Sequence, residues 1–221
     1  NTPTPAGPAW PQKPVRIVVG FAAGGTTDIT ARTVADVLTR NHKQTFVVEN
    51  RPGAGGNIAA QEVAKAAPDG YTFLMGTPGT QAINQFLYSK MPYDTTRDFA
   101  PVSFVVRVPN VLIVNPSVPA NNARELIDWI RAQRPGSVAY GSPGNGSTGH
   151  LSTELFKTRS GVFATHIPYR GSNPMLTDLM GGQIQMAIDN LPSAMGFIRS
   201  GKLKAIGVTS TEPVKGLESA P

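Results

Sequence analysis

Two segments of this chain set glycines and hydroxyls at a spacing that suits an anion. The first, Phe21-Ala22-Ala23-Gly24-Gly25-Thr26-Thr27-Asp28, puts two glycines ahead of two hydroxyls and a carboxylate. Glycine lets a backbone pass close to a ligand, and a helix starting there offers unpaired N–H groups and a positive dipole end. A carboxylate or phosphate fits such a turn. No Gly-Lys-Ser/Thr follows, so it is not a nucleotide-triphosphate loop. Unliganded, the same residues make an ordinary turn capped by Thr27 or Asp28. The second segment, Ser142-Pro143-Gly144-Asn145-Gly146-Ser147-Thr148-Gly149-His150, repeats the arrangement. Ser147 and Thr148 stand at a predicted helix start, where a hydroxyl binds a small anion or caps the helix. Gly144, Gly146 and Gly149 also satisfy the dinucleotide fingerprint, yet no acid lies between Glu154 and Asp178 to take the ribose. Arg170, near that place, suits a 2′-phosphate, so an NADP-dependent oxidoreductase is the alternative reading.

Further candidates follow other predicted strands. Tyr169-Arg170-Gly171 ends an apolar run, and a guanidinium can hold a carboxylate bidentately. Asp189 ends another, as an acceptor for a ligand donor or as a cap. Thr77, Gly79 and Thr80 follow a third. Catalysis finds little support. The chain has no Gly-x-Ser-x-Gly elbow, and its three histidines, His42, His150 and His166, form no His-Glu-x-x-His motif. His150 and Glu154 are one helical turn apart, which is more often a surface contact than half a metal site. With no cysteine, thiol catalysis and Cys-ligated zinc are excluded. A non-enzymatic chain needing no cofactor is expected.

The elements that would position these residues alternate clearly. Apolar runs over 15–20, 45–49 and 71–76 read as strands, and 27–40 and 57–67 as helices between them. In the first helix Ala31, Val34, Ala35 and Leu38 share one face. Such βαβαβ units form parallel sheets with right-handed crossovers. An irregular stretch over 88–101 breaks the rhythm. Strands are then expected at 102–108, 111–115, 138–142, 164–169, 184–189 and 204–209, with helices at 122–133, 148–158, 173–180 and 192–199. The predicted class is α/β, a two-lobed fold like that of periplasmic binding proteins, each lobe a mainly parallel sheet flanked by helices. One lobe takes residues 15–100 plus 208–221 and the other 101–207, crossing near Ala100 and Gly207. Ligands of open parallel sheets sit beyond the carboxyl ends of the strands, so the turns above would wall a cleft between lobes.

Composition narrows the partners. The 221 residues carry 20 Lys and Arg against 14 Asp and Glu, a formal charge of +6, with 40% hydrophobic and 15% charged residues. That is a globular composition. The basic residues are scattered, the densest spots being Arg131 with Arg134 and Lys202 with Lys204, so no nucleic-acid surface is expected. A mild positive field draws small anions. No apolar run approaches the roughly 18 residues of a membrane helix. Residues 1–14, with five prolines, read as a flexible leader of an exported chain whose signal peptide is gone, or as a cloning remnant.

Several blocks together carry a resemblance. They are Lys13-Pro14-Val15-Arg16 with the first glycine turn, Glu49-Asn50-Arg51-Pro52-Gly53-Ala54-Gly55-Gly56-Asn57, and Ala67-Pro68-Asp69-Gly70-Tyr71. Arg97-Asp98-Phe99-Ala100-Pro101-Val102 and Pro168-Tyr169-Arg170-Gly171 complete them. In this order the chain resembles the periplasmic solute receptors of tripartite tricarboxylate transporters, the TctC or Bug type. The resemblance implies a monomeric two-lobed receptor that closes on a small di- or tricarboxylate or aromatic acid and passes it to membrane permease subunits. It places the first-lobe contacts on Phe21, Gly24, Thr27, Asp28, Thr77 and Thr80. The second-lobe contacts fall on Ser142, Gly146, Ser147, Thr148, His150, Tyr169, Arg170, Gly171 and Asp189. Family receptors run on past the point where this chain ends, so a first lobe incomplete at its C-terminal side is expected.

Overall fold

A computed structural model describes residues 10–217 and contains two separate sheets. The first is built from β1 (Val15–Val19), β2 (Phe46–Asn50) and β3 (Thr72–Leu74), in the order β2-β1-β3 and all parallel. Helix α1 (Thr26–His42) crosses between β1 and β2, and α2 (Asn57–Ala64) between β2 and β3. The predicted face of α1 is the one that packs: Ala31 and Ala35 are buried with Val15, Ile17, Val19 and Phe46, and Val34 and Leu38 lie against them. The central strand β1 is apolar throughout except Arg16, whose guanidinium is held by Glu49 and Glu62 at 2.8 and 2.5 Å.

The second sheet has five strands in the order β6-β5-β7-β4-β8. These are β4 (Asn110–Val114), β5 (Ala139–Ser142), β6 (Thr165–Pro168), β7 (Met186–Asn190) and β8 (Lys204–Val208), connected by α4 (Ala123–Ala132), α5 (Thr148–Ser160), α6 (Ser172–Met180) and α7 (Leu191–Arg199). Strand β4 is antiparallel to both neighbours, and the β5 pairs are parallel. Both faces of this sheet are covered, which explains its continuous apolar runs. Alternation along β4 sends Leu112 and Val114 to a cluster with Leu126, Ile130, Tyr140 and Met186. Val111 and Ile113 go to the other face, with Met175, Leu176, Leu179 and Leu191. Helix α4 starts as read, with the Asn122 side chain accepting the Glu125 N–H.

Four expectations need correction. Residues 102–108 form no strand: the run has no regular structure, is exposed over most of its length, and has no paired neighbour among the described residues. Strand propensity is realised only where a partner edge accepts the backbone groups. Second, residues 79–87, for which the sequence predicts no element, are helical: a wide turn over Gly79–Ile83 runs into α3 (Asn84–Leu87). Third, β7 continues through Asn190, so Asp189 is inside the strand, opposite Val111. Fourth, of the expected leader, residues 1–9 lie outside the described residues, but Trp10 is docked on the first sheet. Its indole N–H donates to the Gly70 carbonyl at 3.1 Å, and its ring meets those of His42 and Phe46. Beyond β8, Val214 and Leu217 pack into the cluster on the second sheet, and residues 218–221 lie outside the described residues.

Candidate functional site

A cavity of about 360 Å³ lies where the ends of the two sheets meet. Four helices begin on its wall. Thr26 and Thr27 open α1, Ser147 caps α5 ahead of Thr148, Ser172 opens α6, and Asn190 precedes the first residue of α7; all six line the cavity. The Gly79 turn lines it as well, with its Thr80 and Gln81 N–H groups already donated to Thr77. Each N-terminus contributes a partial positive charge and unpaired donors. Among the described residues no acidic one lines the cavity, and Phe21, Met75, Val106 and Val108 give it apolar walls. Such a site accepts a small anion with an apolar body.

The convergence follows from strand direction. Strands β1, β5 and β7 deliver Phe21, Pro143 and Asn190 at their carboxyl ends. Antiparallel β4 brings its first residue, Asn110, to the same place, where its Oδ1 accepts the Asn190 amide at 2.6 Å.

Of the predicted contacts, Phe21, Thr27, Thr77, Ser147 and Thr148 line this cavity. Gly24, Asp28, Thr80 and Asp189 do not line it: Gly24 is exposed, and the other three are buried. The Asp28 carboxylate is buried and accepts the Gly24 N–H at 2.9 Å, the Arg32 guanidinium at 3.0 Å and the Asn50 amide at 2.9 Å. Burial opposes its charge, but these hydrogen bonds outweigh it and hold the carboxyl below its ordinary value. The Thr80 hydroxyl shapes its own turn, accepting the Thr77 N–H at 3.1 Å. Asp189 is fully buried; Ser172 and Ser193 donate to it at 2.9 and 2.6 Å. Burial pushes its carboxyl up to about 6, against the pull of those two hydroxyls.

Ser142, Gly146 and His150 belong to a packed column instead of the cavity wall. The Ser142 hydroxyl pairs with His166 Nε2 at 2.7 Å, and Gly146 donates its N–H to His150 Nδ1 at 3.2 Å. The rings of His150 and His166 stack at 4.4 Å, and His166 stacks on Tyr140 at 4.7 Å. Burial lowers both rings, His166 to about 4. Glu154 accepts from Tyr140 and from Lys157, and no group of acids and histidines among the described residues could hold a metal ion. Tyr169, Arg170 and Gly171 lie where the two sheets touch. Tyr169 and Arg170 line a second cavity of about 310 Å³, and the Arg170 carbonyl accepts the Ala22 N–H at 2.8 Å.

The three fingerprint glycines serve protein packing. A Cβ at Gly146 would stand 2.0 Å from Asn84 Oδ1, one at Gly149 2.2 Å from the Ile188 carbonyl, and one at Gly144 3.3 Å from the Tyr169 carbonyl. Their close approaches are to the chain itself, which leaves no phosphate cradle there.

Sequence reasoning missed Arg107, Asn110, Ser172, Asn190 and Thr209, all on the cavity wall. Ser172 and Asn190 carried a usable signal, each standing at a helix start after a strand. Arg107 lay inside a run read as a strand, which hid it.

Comparison with known proteins fits this geometry. Residues 30–219 match a family model described as the tripartite tricarboxylate transporter family receptor. Protein BugT of Bordetella pertussis is 41% identical over 204 residues, covering 92% of this chain; the chain spans 62% of that protein's length. Rpa4515 of R. palustris, solved with adipate, is 48% identical with a TM-score of 0.90, covering 92% of this chain and 68% of that one. MatC from Rhodopseudomonas palustris, solved with bound malate, is 31% identical with a TM-score of 0.90, covering 96% and 72%.

Proposed function

The chain belongs to the tripartite tricarboxylate transporter receptor family, and we propose that it is a periplasmic receptor for a small carboxylated organic acid. The observation that carries this reading is the convergence of four helix N-termini on one cavity whose wall, among the described residues, holds no acidic one. Carboxylate oxygens accept hydrogen bonds only, so a wall of N–H groups and hydroxyls is complementary to them without a buried counter-charge. Adipate and malate in related proteins support the same ligand class.

Binding works by closure of two lobes, one built on the first sheet and one on the second, and the residues after β8 up to Leu217 go with the second, where Val214 and Leu217 pack. The first sheet presents Thr26, Thr27 and Thr77, and the second presents Ser147, Thr148 and Ser172. A ligand touching both favours the closed form by its differential contacts. The Ser193 N–H, donating to Thr26 Oγ1 at 3.1 Å, joins the two at the cavity and supports closure. The monomeric receptor then passes the acid to membrane permease subunits, a step that family membership supports.

Calorimetric titration of the chain with adipate, malate and aromatic carboxylates tests the reading. Saturable binding of at least one is expected. Binding of NADPH, with no carboxylate bound, would overturn it in favour of an oxidoreductase.

A further inference from the structure

Among the described residues lining the main cavity, Arg107 alone carries a charge. It sits in the irregular connection 102–108, whose Phe104, Val106 and Val108 also line the cavity. Its guanidinium has no ion pair or hydrogen-bond partner among the described residues, whereas most of the first sheet's arginines are engaged: Arg16 and Arg51 by Glu49 and Glu62, Arg32 by Asp28. The helix N-termini and hydroxyls suffice for one carboxylate. A second anionic group on the same ligand would find its complement in this unpaired fork of N–H donors, on a cavity wall that also carries Met75, Val106 and Val108.

We infer that Arg107 is a specificity-determining residue that selects ligands with a second carboxylate over their monocarboxylate counterparts. The inference rests on the carboxylate-receptor reading and deepens it: the helix starts take one end of the acid and Arg107 the other. A guanidinium meets a carboxylate through two parallel N–H···O bonds, which lysine cannot reproduce.

The test compares two pairs of acids that differ only by the distal carboxylate, adipate with hexanoate and malate with 2-hydroxybutyrate. Affinities are measured by calorimetry for the unaltered chain, Arg107→Gln and Arg107→Lys. Arg107 is exposed, so both variants should fold, and their melting midpoints check this. The expected result is a preference for the diacid in each bound pair. In Arg107→Gln the diacid should weaken by about tenfold or more while the monoacid stays within about twofold, with Arg107→Lys between. Equal loss for both members of a pair, or no loss for either, overturns the role of Arg107 and leaves the carboxylate reading standing. Failure of all four acids to bind the unaltered chain would remove both together.

Discussion

The Asp28 carboxylate, buried in the first turn of α1, accepts the Gly24 backbone N–H at 2.9 Å and thereby fixes the glycine turn from inside the helix that follows it. The same oxygen takes the Arg32 guanidinium, and the other oxygen takes the Asn50 amide. Asn50 in turn donates to the Phe21 carbonyl at 3.0 Å, so the turn is clamped at both ends. An acid that looks like a ligand contact in sequence is thus the anchor of the loop that faces the ligand.

Replacing Asp28 with Asn should cost about 1–3 kcal/mol, because a charge-assisted network is lost and a buried donor is left facing donors. Urea unfolding measures this. The sign with pH follows from the depressed carboxyl. The Asp28 contribution is present above the ordinary value of 3.8 and disappears as pH falls through the lower folded value. The Asp28→Asn variant should therefore lose less stability than the parent on acidification below that point.

Asp189 and His166 should give opposite pH slopes. The Asp189 carboxyl rises from 3.8 to about 6 on folding, so its contribution favours the fold at low pH and is lost as pH climbs from about 4 to 6. The His166 ring falls from 6.5 to about 4, so its protonation in the unfolded chain destabilises the fold as pH drops through that interval. Melting curves between pH 4 and 6.5 are the measurement. Asp189→Asn should make the fall toward acid steeper, and His166→Asn should flatten it.

Gly171 should not tolerate a side chain. Its φ is 145°, and a Cβ there would stand 2.7 Å from the Ala22 nitrogen, in the contact between the two sheets. Gly171→Ala should keep both cores, yet weaken adipate or malate binding by roughly tenfold, through about 1–3 kcal/mol of strain in the approached state. Calorimetry with a parallel melting curve separates the two effects. Unchanged affinity would show that this approach is not part of binding.

The parts legible in the sequence were those fixed by local pattern. The face of α1 carrying Ala31 and Ala35, the Asn122 cap and the βα alternation each depend on residues a few positions apart. The turns facing the cavity were legible for the same reason, since a turn after a parallel strand has one direction to go. What escaped depended on distant neighbours. Residues 102–108 have strand chemistry but no partner edge, and Arg107 went unnoticed with them. Sequence position also cannot tell a residue on the cavity wall from one beneath it. Asp28, Thr80 and Asp189 have the same motif context as Thr27 and Thr77 but turn inward to pair with backbone N–H groups and hydroxyls. The dinucleotide spacing misled similarly, because glycines close to a phosphate and glycines close to another strand look alike until the fold places Ile188 against Gly149.

The most direct test of the receptor reading is the melting temperature of the purified chain with mono-, di- and tricarboxylates, aromatic acids and NADPH. A ligand present at about 100 times its dissociation constant adds about 2.7 kcal/mol. For a chain of this size that is a rise of about 5–11 °C, expected with at least one carboxylate and not with NADPH. No rise with any carboxylate, or a rise with NADPH alone, would contradict the receptor reading.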